Sequence, residues 1–208
     1  TQDYLLDCTQ SGFGITPIIG VDWKLGKLNL AAKYEFRTKI NLENESKNSA
    51  NVDAMMPAYA DGAKVRSDIP AILTLGAEVE ALKNLRVAAG FHYYWDKDAK
   101  GTPINEGDNT WEANFGVEGD VTNKLTLSFG LQTTNYGFED ADMKDTNFNI
   151  NSNALLFGGA YKFNEHFKLN VGYMHSFYSS HDFVNANGTA CNYTRENDVV
   201  GVSLDMKF

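Results

Sequence analysis

Val200-Gly201-Val202-Ser203-Leu204-Asp205-Met206-Lys207-Phe208 is the stretch that decides the fold. Val200, Val202, Leu204, Met206 and Phe208 fall on one side of an extended chain. Gly201, Ser203, Asp205 and Lys207 fall on the other. Strict period-two alternation of apolar and polar residues is the pattern of a half-buried β-strand, because successive side chains in a strand point to opposite faces.

The same pattern recurs upstream. Leu28, Leu30, Ala32, Tyr34 and Phe36 alternate with polar or small residues, as do Leu73, Leu75, Ala77 and Val79. So do Leu85, Val87, Ala89, Phe91 and Tyr93, then Trp111, Ala113, Phe115 and Val117, then Leu125, Leu127, Phe129 and Leu131. Further strands are expected to begin near Ile15, Leu155 and Leu169, giving about nine in an antiparallel up-and-down meander.

Connection lengths separate a membrane barrel from a soluble sandwich. Tight links at 24–27, 82–84, 122–124 and 164–166 alternate with long polar stretches at 43–69, 96–109, 139–152 and 179–196. Outer-membrane barrels have short periplasmic turns and long outer loops, whereas a sandwich has no reason to segregate lengths. Tyr93, Tyr94, Trp95, Trp111, Tyr136, Phe177 and Tyr178 fall at the long-loop ends, and Trp23, Phe163, Phe167 and Phe208 at the tight ends. Two aromatic girdles are the expectation. Roughly ten residues at ~3.3 Å each, tilted by ~40°, cover about 25 Å, the height of the apolar band in such barrels. The reading is therefore all-β: an antiparallel up-and-down transmembrane β-barrel in a bacterial outer membrane.

Composition agrees and excludes other classes. The chain has 208 residues, 43% of them hydrophobic, with 13 Phe, 10 Tyr and 3 Trp. A formal net charge of -9 argues against nucleic acid, whose phosphates need a face rich in Lys and Arg. No run approaches the ~20 apolar residues of a membrane helix. No zinc-type Cys/His spacing and no phosphate-cradling glycine loop occurs, so neither a metal nor a cofactor is expected. Cys8 and Cys191 are either two unrelated thiols or a disulfide between outer loops, which an oxidising compartment permits.

With long loops outside, the Phe208 strand runs down to the periplasm, the strand near Ile15 also runs down, and Thr1 starts in an outer loop. Bacterial single-chain barrels have even strand numbers. The expectation is a chain incomplete on its N-terminal side, with residues 1–208 forming the C-terminal part of a barrel.

Several segments resemble the FadL/TodX family of outer-membrane transporters for long-chain fatty acids and other hydrophobic compounds. Asp68-Ile69-Pro70-Ala71-Ile72-Leu73-Thr74-Leu75-Gly76-Ala77 is similar to the family's strand that opens on a proline and carries a Leu-Gly pair. A tight turn and an aromatic strand, Leu85 to Trp95, follow it as they do there. Gly20-Val21-Asp22-Trp23, leading into Ala32-Lys33-Tyr34-Glu35-Phe36-Arg37-Thr38, resembles the preceding hairpin. The Phe208 strand resembles the general signal for the barrel assembly machinery. The resemblance spans about Gly12 to Phe208. It implies a fourteen-stranded barrel with an N-terminal plug, of which the plug and first strands are absent here. It also implies uptake of hydrophobic small molecules such as long-chain fatty acids, with outer-membrane lipid and lipopolysaccharide as surroundings. A structural or secretion-system partner barrel is the alternative.

Candidate sites are few. Met55, Met56 and Tyr59, with Pro57 and Ala58, form an apolar island in a polar loop, suited either to a first landing place for a lipophilic ligand or to loop self-packing. Arg37 and Arg86, with Lys33 and Lys39, are candidates to meet a carboxylate head group, or else to pair with Glu35, Glu78, Glu80, Glu112 and Glu118. Gly20, Gly76, Gly90, Gly116, Gly130, Gly158, Gly172 and Gly201 sit within strands, as clearance for a plug or as bends that close a barrel. His175 and His181, near Asp182, Ser176, Ser179 and Ser180, are the best case for a hydrolase, and a weak one, so no enzyme is expected.

Overall fold

A computed structural model describes residues 4–102, 107–143, 148–184 and 188–207. Nine strands form one antiparallel sheet: β2 (Ile18–Leu25), β3 (Leu28–Glu35), β6 (Ile72–Leu82), β7 (Leu85–Tyr94), β8 (Trp111–Asp120), β9 (Leu125–Asn135), β10 (Ser152–Lys162), β11 (Phe167–Tyr178) and β14 (Glu196–Met206). Each pairs with its neighbour in chain order, and β2 and β14 are the two edges. This is the meander the alternation predicts. The first wall strand starts at Ile18 rather than near Ile15, one residue past Pro17, which has no N–H to offer a ladder.

Register sorts the side chains into two faces. Leu73, Leu75, Ala77 and Val79 stand opposite Tyr93, Phe91, Ala89 and Val87. Phe115 meets Leu131, Phe129 meets Phe157, and Tyr173, Val171 and Leu169 meet Val200, Val202 and Leu204. These apolar rows form one continuous face. Its large side chains are bare, Val200 being 70% and Val202 67% exposed, in a position where a soluble protein would hide them. The apolar face is the outer, lipid-facing one, and the opposite face is the lumen.

The rims are partly as expected. Tyr34, Tyr93, Trp95 and Trp111 gather on the outer face at the long-loop end, with Tyr93–Trp95 and Tyr34–Trp95 ring centroids 4.9 Å and 5.6 Å apart. Trp23, Phe163 and Phe167 are exposed at the tight-turn end. Phe208 lies outside the described residues. Tyr94, Tyr136 and Tyr178 are not girdle residues: Tyr94 and Tyr178 fall on the lumenal side of the register and Tyr136 lines the outer mouth of the lumen. Period two forbids Tyr93 and Tyr94 from sharing a face.

Tight turns close with local chemistry. Thr122 Oγ1 accepts the Lys124 and Leu125 N–H groups, at 3.1 Å and 2.9 Å, and Asn164 Oδ1 accepts those of His166 and Phe167. The long connections carry structure that alternation did not signal. The first, between β3 and β6, holds β4 (Asn41–Ser46), β5 (Lys64–Arg66) and a short helix α1 (Ala50–Met55). With β1 (Cys8–Ser11) these strands make a small sheet ordered β1-β4-β5. The last connection holds a hairpin of β12 (His181–Val184) and β13 (Ala190–Tyr193).

The small β1-β4-β5 sheet continues the wall. The β3–β6 register passes unchanged through an isolated Thr38–Ile69 bridge into the β4–β5 pair. Pro70 cannot donate to the ladder, which breaks beside it. Cys8 and Cys191 are free thiols, so the disulfide alternative is wrong here. Cys8 is paired opposite Ser46 in the first loop sheet and Cys191 opposite Phe183 in the last hairpin, two different sheets.

Candidate functional site

The eight strand glycines singled out in the sequence all project to the lumenal face and line up across strands, whereas Gly119 and Gly159 fall on the outer face. Gly76 faces Gly90, Gly116 faces Gly130, and Gly158 faces Gly172, which faces Gly201. A row without side chains makes a hollow of about 500 Å³ in the wall. Its floor is apolar: Ala88, Leu156, Met174 and Val199 join the glycines. Glu78, Arg86 and Glu118 stand at its tight-turn end, with Arg86 ion-paired to Glu118. The lumen is therefore an apolar lane with a charged foot. Sequence reading misses Leu156, because Ala154-Leu155-Leu156-Phe157 is apolar on both faces and alternation is silent there.

Further out, the lumen becomes a polar network. Glu112 accepts hydrogen bonds from Tyr94 Oη (2.9 Å), Thr134 Oγ1 (3.1 Å) and Gln132 Nε2 (3.3 Å). His92 Nδ1 lies 3.4 Å from the same carboxylate. Above it the loops interlock. Asp68 receives N–H bonds from Ile40 (3.2 Å) and Lys100 (3.1 Å) and a two-nitrogen clasp from Arg66, so one carboxylate ties three segments together. Burial pushes its carboxyl up, but the Arg66 guanidinium and the two amides outweigh burial and hold it below the usual range. Asp142, 1% exposed, takes the Gly107 N–H at 2.8 Å and joins the next two loops. Gly101, at φ +78°, presses on the Arg66 carbonyl where any Cβ would collide.

The singled-out residues are not brought together. Met55, Met56 and Tyr59 lie around α1 at the top of the first loop, Met55 being 70% exposed. Arg37 lies beyond the outer end of β3 and donates to the Asp98 carbonyl of the next loop. Arg86 is at the opposite end of the lumen, and Lys33 pairs with Glu35 at 2.7 Å. Ser176 is on the lumenal face and His175 on the outer face, where His175 Nδ1 meets Asp198 at 2.7 Å. A sheet stands between that serine and that imidazole. Among the described residues no group of His, Cys, Asp and Glu is placed to hold a metal.

A meander that is apolar outside, aromatic at both rims, short-turned on one side and long-looped on the other is the wall of a bacterial outer-membrane β-barrel. The particular fold is that of the FadL/TodX barrels. A Pseudomonas aeruginosa FadL homologue superposes with a TM-score of 0.68 at 16% identity, over 90% of this chain and 50% of that one. The toluene transporter TodX of P. putida gives 0.63 at 18% identity, over 96% and 50%. A TodX deletion mutant, described as a monoaromatic hydrocarbon channel, gives 0.63 at 17%, over 95% and 50%. The chain thus spans about half the length of the structures it matches. No protein-family model and no curated protein matches the sequence.

Proposed function

We propose that this chain is part of the wall of an outer-membrane channel for hydrophobic small molecules. The observation that carries the reading is the apolar glycine-lined lane in the lumen. A solute channel for ions or sugars gains nothing from Leu156, Met174 and Val199 facing inward. An apolar solute gains about 25 cal/mol for each Å² it removes from water there. Further strands and an N-terminal plug would complete a fourteen-stranded barrel around the lane. Outer-membrane lipid and lipopolysaccharide would cover the outer face, and the Phe208 strand would be read by the assembly machinery.

Met55, Met56 and Tyr59 serve in this reading as an adaptable outer landing place. Replacing Met55 and Met56 by Ser slows uptake at low substrate concentration and leaves the saturated rate unchanged. Long-chain fatty acids and monoaromatic hydrocarbons are the two ligand classes to compare first. A strain lacking the gene is expected to take up one or both more slowly than its parent, with recovery from a plasmid copy. Equal uptake of both by the two strains refutes the channel.

A further inference from the structure

A second hollow, of about 430 Å³, lies at the outer mouth of the lumen, where β7, β8 and β9 meet the loops. Pro70, Tyr94, Tyr136 and Phe138 give it apolar and aromatic walls. Asp96 and Glu112 give it two carboxylates, and among the described residues no Lys or Arg lines it. Among the described residues, Arg66 is engaged with Asp68, Lys97 with Asp108, and Arg195 lies over the Tyr178 ring at 5.1 Å, while His92 Nδ1 stands 3.4 Å from Glu112.

Both carboxylates are held in place. Asp96 Oδ2 accepts the Thr110 N–H at 2.9 Å, and Glu112 is fixed by Tyr94, Gln132 and Thr134. A carboxylate has about four acceptor positions. Glu112 is nearly saturated, with Gln132 and Thr134 on Oε1 and Tyr94 on Oε2, where His92 Nδ1 also stands at 3.4 Å. The bond to Thr110 leaves acceptor positions on Asp96 unused, beside aromatic surface. Such a pocket suits a molecule with an apolar body and a head that donates a hydrogen bond. It repels a second carboxylate, since like charges at this range in a partly dried cavity cost more than they do in water.

We infer that the outer-mouth pocket bounded by Asp96, Glu112, Tyr136 and Phe138 selects uncharged hydrophobic molecules bearing a hydroxyl-type donor over carboxylates of the same size. This deepens, and rests on, the channel reading by naming the ligand class. Neither a bare hydrocarbon nor a fatty acid uses what the site offers, and a phenol or a long-chain alcohol does.

The test is equilibrium binding of 4-butylphenol and 4-butylbenzoate to the intact protein in lipid nanodiscs at pH 8, with empty nanodiscs subtracted. At that pH the phenol is neutral, with a pKa near ~10, and the benzoate is charged, with one near ~4. The phenol is expected to bind at least about ten-fold more tightly. In Asp96→Asn/Glu112→Gln the preference shrinks, because the benzoate gains. The parent ratio needs no variant and stands whether or not the double variant assembles. Equal binding, or tighter benzoate binding, overturns the selectivity and leaves the channel standing. Binding of neither overturns the channel reading as well.

Discussion

Asp68 ties the outer loops together from inside. Its carboxylate closes bonds to Ile40, Arg66 and Lys100 from three separate stretches of chain. Its folded-state pKa is held below the ordinary 3.8, so the charge contributes stability at every pH above that value. The contribution is lost as pH falls through the lowered folded value. Arg66 is partly exposed, which screens the pair, so Asp68→Asn is expected to cost the cap about 1–2 kcal/mol at neutral pH. Amide hydrogen exchange at Ile40 and Lys100 reads this: faster in the variant at pH 7, and converging with the parent only as pH falls through the lowered folded value, below the ordinary 3.8, where the parent carboxylate protonates. Unchanged exchange in the variant at pH 7 means that Asp68 locks nothing. Nothing in the sequence marks Asp68 as a hub, since a lone Asp before Ile-Pro reads as an ordinary turn residue. The Pro70 beside it was legible, but the partners that make it matter are distant in the chain.

At the scale of the strand, period-two alternation did most of what sequence can do. β14 and β9 were readable residue by residue, because one face meets lipid and the other does not. β1, β4 and β5 were not readable: Cys8-Thr9-Gln10-Ser11 and Asn41-Leu42-Glu43-Asn44-Glu45-Ser46 have no apolar face to betray them. They are strands because the wall's ladder extends into them and their backbone groups need partners. The two faces of β14 give a paired prediction. Val202→Arg puts a charge on the lipid face near mid-strand and is expected to cost about 2–4 kcal/mol. Ser203→Arg, one residue along, enters the wet lumen beside Asn170 and Asp205 and is expected to cost under about 1 kcal/mol. Denaturant unfolding in lipid vesicles measures both. Equal costs contradict the assignment of faces.

For the whole molecule, the fold came through more clearly than the site. Meander, loop asymmetry and rims are properties of many residues at once and survive the loss of any one signal. The site is written in a few positions whose face is ambiguous in sequence: Leu156 in an apolar run, Met174 and Val199 among polar neighbours, and Tyr94 beside an outward Tyr93. Arg37 and Arg86 stand out as charges in the sequence, yet they lie at opposite ends of the lumen wall.

Hydrophobic molecules that cross this wall are expected to move along the glycine-lined lane. Gly172 and Gly201 offer the direct test, because an added Cβ meets only the Phe157 carbonyl at 4.0 Å from Gly172 and nothing within 4 Å from Gly201. Gly172→Leu/Gly201→Leu therefore puts bulk into the lane from positions where a Cβ meets no close backbone. The measurement is the initial uptake rate of a labelled hydrophobic substrate by cells carrying this variant at parental levels in the outer membrane. Val200→Leu, on the outer face, is the control. The double variant is expected to lose uptake several-fold and the control to lose none. Parental uptake by a normally assembled double variant means that the lane is not the route.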